Sequence, residues 1–321
     1  MSKVGKLIRE ANDLILVPEI YDCTSAKAAE INGFDAIMIS SSDFACSLTG
    51  IPDLGLLSID EYVMMTERIC NMTDMPLILD ADDGFGRPLS CYYACKRMAR
   101  VGAAGVLITD DNENCREGIA PLELVKTRLK AARDGFSEIG DDALIIARCD
   151  LDPINDYQKF VDTCNIYLES GANMICPSPR GVHSYKGDKN EFAKRMGRDI
   201  KGWLWWPDLT ADENGNPEID TKDLFDWGWK MTGIHFSLHA AMLAMLDTGR
   251  HVFKDRDNVY VTKAYDWTGY KMFSSMALFM NDDYWINKEL KYVPDPKEAN
   301  SPLGKAYFCR PDDCYDPDEK K

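Results

Sequence analysis

A (β/α)8 barrel, the TIM-barrel architecture, followed by a C-terminal helical extension is the fold this sequence predicts, and three observations predict it. Short apolar, often β-branched runs alternate with longer amphipathic stretches along most of the chain. The runs read as continuously hydrophobic, as parallel strands covered on both faces must. Stretches such as MARVGAAG and YLESGANM end a helix at glycine and enter a strand after a short turn.

The predicted strands are Leu14 to Val17, Ala36 to Ser40, Pro76 to Asp82, Gly105 to Asp110, Ala143 to Asp150, Met174 to Pro177, Trp203 to Pro207 and Thr232 to Ser237. The predicted helices are Ser25 to Asn32, Ile59 to Met72, Leu89 to Val101, Leu122 to Ile139, Tyr157 to Ser170, Glu191 to Asp199, Thr221 to Trp227 and Leu238 to Phe253. Eight βα units favour a closed barrel over an open sheet. The barrel is expected to occupy residues 1–254. Residues 255–321, with the aromatic run VYVTKAYDWTGYKMFSSMALFM and the tail RPDDCYDPDEKK, are expected to form a helical and irregular extension.

Composition narrows the function classes. A length of 321 residues is large for one compact domain but ordinary for such a barrel. The formal charge of −16 repels nucleic acid and anionic membrane surfaces, and no basic patch offsets it. The start, MSKVGKLIREANDLI, has scattered charges instead of a signal-peptide core, and no apolar run is long enough to cross a bilayer. A cytoplasmic protein with reduced thiols is therefore expected, and its 11 cysteines are not read as a disulfide scaffold. Cys91 and Cys95 are one helical turn apart with no second pair to complete a zinc site.

In such barrels the chemistry sits where the strands end. Strand two ends in Ser40, Ser41, Ser42 and Asp43, strand three in Asp80-Ala81-Asp82-Asp83-Gly84-Phe85-Gly86, strand four in Thr109-Asp110-Asp111, and strand five in Arg148-Cys149-Asp150. Asp80 and Asp82 are two residues apart in an extended segment, so they can share a side and hold a hard cation such as Mg2+ or Mn2+. Gly84 and Gly86 permit a tight turn whose amides suit an anion. The third glycine of a dinucleotide fingerprint is absent. Arg148 can grip a carboxylate with its planar fork. The four histidines, His183, His235, His239 and His251, lack zinc-protease spacing and are read as structural.

The ordered set Gly33-Phe34-Asp35-Ala36 through Ser40, Gly50-Ile51-Pro52-Asp53-Leu54-Gly55, Asp80 to Gly86 and Ile146-Ala147-Arg148-Cys149-Asp150 resembles the isocitrate lyase and phosphoenolpyruvate mutase superfamily. The resemblance runs from about Lys6 to Phe253. It implies Asp80 and Asp82 as metal residues, Asp53 reaching the metal through water, Ser40 with the amides around Ser41 and Ser42 on the substrate carboxylate, and Arg148 paired with that carboxylate.

Other positions depart from the family. Its strand-four glutamate is Thr109 here, with Asp110 or Asp111 a candidate replacement in the metal site. Its lysine- and histidine-bearing catalytic loop reads Asp111-Asn112-Glu113-Asn114-Cys115-Arg116-Glu117-Gly118, which leaves Cys115 as a catalytic candidate and Arg116 as a substrate contact. Ser178 and Asp208 stand at two further substrate-binding positions.

The resemblance implies a Mg2+-dependent carbon–carbon lyase acting on a small 2-hydroxy or 2-oxo acid, such as a substituted malate or methylisocitrate, through an enolate. P–C chemistry on phosphonopyruvate-like compounds, hydrolysis of an oxaloacetate-like acid, and a binding barrel without turnover are the alternatives. A homodimer or homotetramer exchanging the helix Leu238 to Phe253 is expected, with no nucleic-acid or membrane partner.

Overall fold

The structure, a computed structural model, describes residues 3–111, 118–140, 143–212, 214–261, 279–289 and 291–292. Eight parallel strands close into a barrel in sequence order: β1 (Ile15–Ile20), β2 (Ile37–Ile39), β3 (Leu77–Asp80), β4 (Gly105–Thr109), β5 (Leu144–Cys149), β6 (Met174–Pro177), β7 (Trp203–Trp206) and β8 (Trp229–Ile234), the last pairing with β1. The helices are α1 (Lys3–Glu10), α2 (Cys23–Ile31), α3 (Ser41–Thr49), α4 (Ile59–Met72), α5 (Pro88–Arg100), α6 (Leu122–Ser137), α7 (Tyr157–Glu169), α8 (Pro179–His183), α9 (Lys189–Asp199) and α10 (Ser237–Asp255), with a further helix at Asp282–Glu289. No helix among the described residues is long and apolar enough to cross a membrane.

Local chemistry fixes the boundaries. Ser58 caps α4 in a reciprocal box with Glu61, whose carboxylate returns to the Ser58 amide at 2.6 Å. Pro88 opens α5, where a missing N–H is harmless, and Gly50 ends α3 in the left-handed conformation.

Strand alternation creates two packed layers. Ile15, Val17, Met38, Ile78, Leu107, Leu144, Ile146, Met174, Trp205 and Met231 fill the barrel interior, joined by Val4 and Ile8 of α1. Leu77, Leu79, Val106, Ile108, Ile145, Ala147 and Ile175 face the surrounding helices. Counting on by twos from the interior residues leads to Glu19, Ser40, Asp80, Thr109, Arg148 and His235 at the carboxyl ends of six strands, and these line one cavity. The register places Thr109 beside Arg148 and Arg148 beside Cys176.

The eight strands stand where they are expected, apart from β8, which begins earlier than Thr232. Three helices were not anticipated: α1, α3 and α8. The expected helix Thr221 to Trp227 is instead a series of turns ending at Gly228, whose φ is 99°. The chain divides into compact units Met1–Ala241 and Met242–Lys321, a division inside α10 and earlier than the expected boundary after residue 254.

Candidate active site

The cavity at the strand ends has a volume of about 670 Å3, within the usual range for small-molecule sites. Ser40, Ser41, Ser42, Asp53, Asp80, Asp82, Arg148 and Asp208 of the expected site all line it, together with Glu19, Asp111, Arg180, His183 and His235.

Asp80 ends β3 on the interior side. Its Oδ2 accepts the Ser41 hydroxyl at 3.3 Å and its Oδ1 accepts the Asp82 amide at 3.2 Å. Burial pushes the Asp80 carboxyl up; Arg148 opposes this, Glu19 and Asp53 add to it, and the balance stands at about 6. Burial and the charges of Asp80 and Asp53 raise the Asp82 carboxyl well above the carboxylate range. Asp82 also has a φ of 49°, a left-handed conformation that aspartate tolerates better than most residues.

The turn after Asp82 does not form the anion cradle expected from its glycines. The Gly84 amide donates to Ala81 O at 2.8 Å and the Gly86 amide to Asp83 Oδ1 at 2.9 Å, so both are consumed internally. Gly84 is required for space as well as for its φ of 77°: a Cβ there would lie 2.9 Å from Cys91 Sγ.

Ser41 and Ser42 form the first turn of α3, with Ser40 as its N-cap. Ser40 makes no side-chain cap bond; its hydroxyl lies 3.1 Å from that of Ser42. The first amides of the helix therefore lack a capping side chain at its positive end, an arrangement suited to a carboxylate. Arg148 grips Asp150 with Nε and Nη2 at 2.8 and 2.9 Å, leaving Nη1 outside that pair.

Asp110 is a correction. It follows the helix-facing side of β4, the side of Val106 and Ile108, and is completely buried behind the barrel wall. It accepts the Asp150 amide at 2.9 Å and the Tyr167 hydroxyl at 2.9 Å, which places it away from the cavity that Asp80 and Asp82 line. Ser178, the N-cap of α8, lines an adjoining hollow with Asp150 and Gly181, and that hollow shares Asp111 and Arg180 with the main cavity. Cys115 and Arg116 lie outside the described residues.

Glu19 and His235 were missed as site residues. His235 follows β8 on the interior side, with Nε2 2.7 Å from Asp43 Oδ1 and Nδ1 3.0 Å from Glu19 Oε2. Asp43 and Glu19 together hold the imidazole protonated, lifting it to about 10. The alternation from Met231 through Gly233 to His235, and from Val17 to Glu19, is the signal that leads to both.

The acidic groups near Asp80 offer oxygen donors only, and Arg148 offsets their repulsion in part. This fits a hard divalent cation. Among the described residues no three acidic, histidine or cysteine side chains converge closely enough to enclose an ion.

The sequence pattern described as phosphoenolpyruvate phosphomutase matches residues 6–200. The chain belongs to the phosphoenolpyruvate phosphomutase family. Within this family it is 32% identical to 2-methylisocitrate lyase of Aeropyrum pernix, over 84% of this chain and 89% of the relative. It is 28% identical to 2,3-dimethylmalate lyase of Eubacterium barkeri, over 73% of this chain and 80% of the relative. A crystal structure of 2,3-dimethylmalate lyase, a PEP mutase/isocitrate lyase superfamily member, superposes with a TM-score of 0.70 at 25% identity, covering 80% of this chain and 90% of that one. The family's homologues and structural neighbours are thus carbon–carbon lyases and mutases, and the closed eight-stranded barrel is their common fold.

Proposed function

We propose that this chain is a Mg2+- or Mn2+-dependent carbon–carbon lyase of a small 2-hydroxy or 2-oxo acid of the substituted-malate or methylisocitrate kind. The observation that carries this reading is Asp80, lifted to about 6 by burial with Glu19 and Asp53 adding to it, and lining one cavity with Asp82, Arg148 and the serines that open α3. Named relatives that cleave methylisocitrate and dimethylmalate supply the substrate class.

Asp80 and Asp82 would hold the cation, with Asp53 reaching it through water. Bound there, a divalent cation would seat the substrate carboxylate and offset negative charge developing on oxygen. The α3 amides, Ser40 and Arg148 orient the carboxylate, and the cavity walls keep water from the enolate left when the C–C bond breaks. Asp208 stands at the β7 side for the rest of the substrate, and Cys115 and Arg116 remain proposals for the loop after β4. Acids at Glu19, Asp53, Asp80, Asp82, Asp111 and Asp208 weigh against the added charge of a phosphonate, while Arg148, Arg180 and the protonated His235 in the same cavity weigh for it.

A thermal-shift series with oxalate, pyruvate, substituted malates and phosphonopyruvate, with and without Mg2+, tests the reading. Stabilisation by oxalate only when Mg2+ is present, with cleavage of a substituted malate, is expected. Metal-independent binding or cleavage overturns it.

Two further proposals accompany this one. The described cysteines are all free thiols, in keeping with a cytoplasmic setting. No side chain of α10 is buried, and Leu243, Met245, Leu246 and Phe253 are largely exposed, so a second copy of the chain would cover them in a homodimer or homotetramer.

A further inference from the structure

A lyase of a 2-hydroxy acid needs a side chain that takes the hydroxyl proton. Two histidines line the cavity, and their ring nitrogens differ. Both nitrogens of His235 are held, by Asp43 and Glu19. His183 has Nδ1 2.9 Å from Glu218 Oε2, while its Nε2 is buried and has no hydrogen-bond partner among the described residues.

A buried polar atom without a partner requires a reason. His183 ends α8 and lines the cavity with Arg180, Asp208 and Thr210. Behind it, Glu218 accepts from Lys189 Nζ at 2.7 Å and from the Thr210 hydroxyl at 2.6 Å. Burial alone would raise the Glu218 carboxyl, but Lys189, Thr210 and His183 outweigh it and hold it at about 2. A fixed, ionised Glu218 keeps the imidazole hydrogen on Nδ1 and leaves the lone pair on Nε2. A base oriented by a third group, with its reactive atom unpartnered, is the arrangement of general-base catalysis.

We propose that His183 is the proton-transfer residue of this cavity and that Glu218 is its positioning residue. The inference rests on the lyase reading and deepens it. The O–H bond of the substrate's 2-hydroxyl breaks and the proton passes to Nε2. The oxygen's electron pair becomes the second bond of a carbonyl as the C2–C3 bond breaks, its pair remaining on C3 as an enolate. The same proton then moves from Nε2 to C3, giving a 2-oxo acid and a saturated carboxylate with no co-reactant. Glu218 stabilises the imidazolium formed midway. The charged groups around His183 are Glu218, Lys189, Asp208 and, on its own helix, Arg180.

The test uses the full chain with Mg2+, 2,3-dimethylmalate as substrate and oxalate, whose binding needs no base. His183→Gln is expected to lower kcat by about 100-fold or more and to remove the acid limb of the pH profile, with oxalate affinity kept within about threefold. Glu218→Gln is expected to lower kcat by about tenfold or more with KM unchanged, and to displace that limb. In the wild type, ring 15N NMR signals absent from His183→Gln should report the hydrogen on Nδ1 and shift when Mg2+ and oxalate are added. Wild-type kcat in His183→Gln, or joint loss of kcat and oxalate binding, overturns the inference. If the wild type binds oxalate with Mg2+ but cleaves no substituted malate, the lyase reading falls alone. The NMR signals then decide His183: a shift supports its place at the ligand, and signals unmoved by Mg2+ and oxalate overturn it.

Discussion

Arg128 Nη2 donates to Asp83 Oδ2 at 3.1 Å with both side chains almost wholly buried. The same guanidinium donates from Nε to Gly86 O at 2.7 Å and from Nη1 to Asp111 O at 2.9 Å. One side chain of α6 thus ties the turn after Asp82 to the residue after Asp110. Arg128→Met should leave Asp83 buried without its cation, costing about 3–5 kcal/mol of unfolding free energy. Urea denaturation measures it, and the double variant with Asp83→Leu should recover much of the loss.

Asp82 combines a left-handed backbone with a carboxyl that burial, and then the charges of Asp80 and Asp53, raise well above its ordinary range. Asp82→Asn tolerates the backbone and removes the charge, so its Tm without metal should equal or exceed that of the wild type. Mg2+ with oxalate should no longer raise that Tm. Asp82→Val, branched at positive φ, should lower Tm by itself; differential scanning fluorimetry separates the cases.

Asp110 provides the contrast. Buried beneath Tyr167 and the Asp150 amide, it should be dispensable for metal binding. Asp110→Asn should change the Mg2+ concentration needed for the oxalate response by less than about twofold, whereas Asp80→Asn should abolish that response. Isothermal titration with Mg2+ in the presence of oxalate reads both.

His235 gives a pH dependence whose sign is fixed. Asp43 and Glu19 raise its folded pKa from 6.5 to about 10, so its stabilising contribution is complete below 6.5 and is lost as pH rises through about 10. The stability gap between wild type and His235→Gln should therefore be widest near pH 6 and shrink toward pH 10. Glu218 behaves oppositely: depressed from 4.5 to about 2, it contributes fully above 4.5 and less as pH falls toward 2. Urea unfolding across both ranges tests the pair.

Leu246 is 67% exposed on α10. Leu246→Glu should move the protein to a smaller species in sedimentation velocity if a second copy covers this face. A wild-type monomer at micromolar concentration would remove the oligomer proposal.

The strands were legible because burial on both faces makes them uninterrupted apolar runs, and Asp80, Asp82 and Arg148 because they end such runs with charge. The helix α3 was hidden by its Ser-, Asp- and Thr-rich sequence, which reads as a loop when isolated. The early start of β8 was obscured by WGWK, where Gly228 turns the chain directly into Trp229. Asp110 went astray because it stands next to Thr109, where the family has its glutamate, whereas the two-residue period sends it behind the sheet. Glu19 and His235 carry no local motif: their meeting is created by closure of β8 on β1, a contact between the two ends of the barrel sequence.

That closure orders events during synthesis. The wall of the cavity includes Glu19 from the first strand and His235 just past the last, so a nascent chain lacking the eighth βα unit has no complete pocket. Metal or substrate can then reward only the fully wound barrel and cannot template its earlier stages, which must reach closure on apolar packing alone.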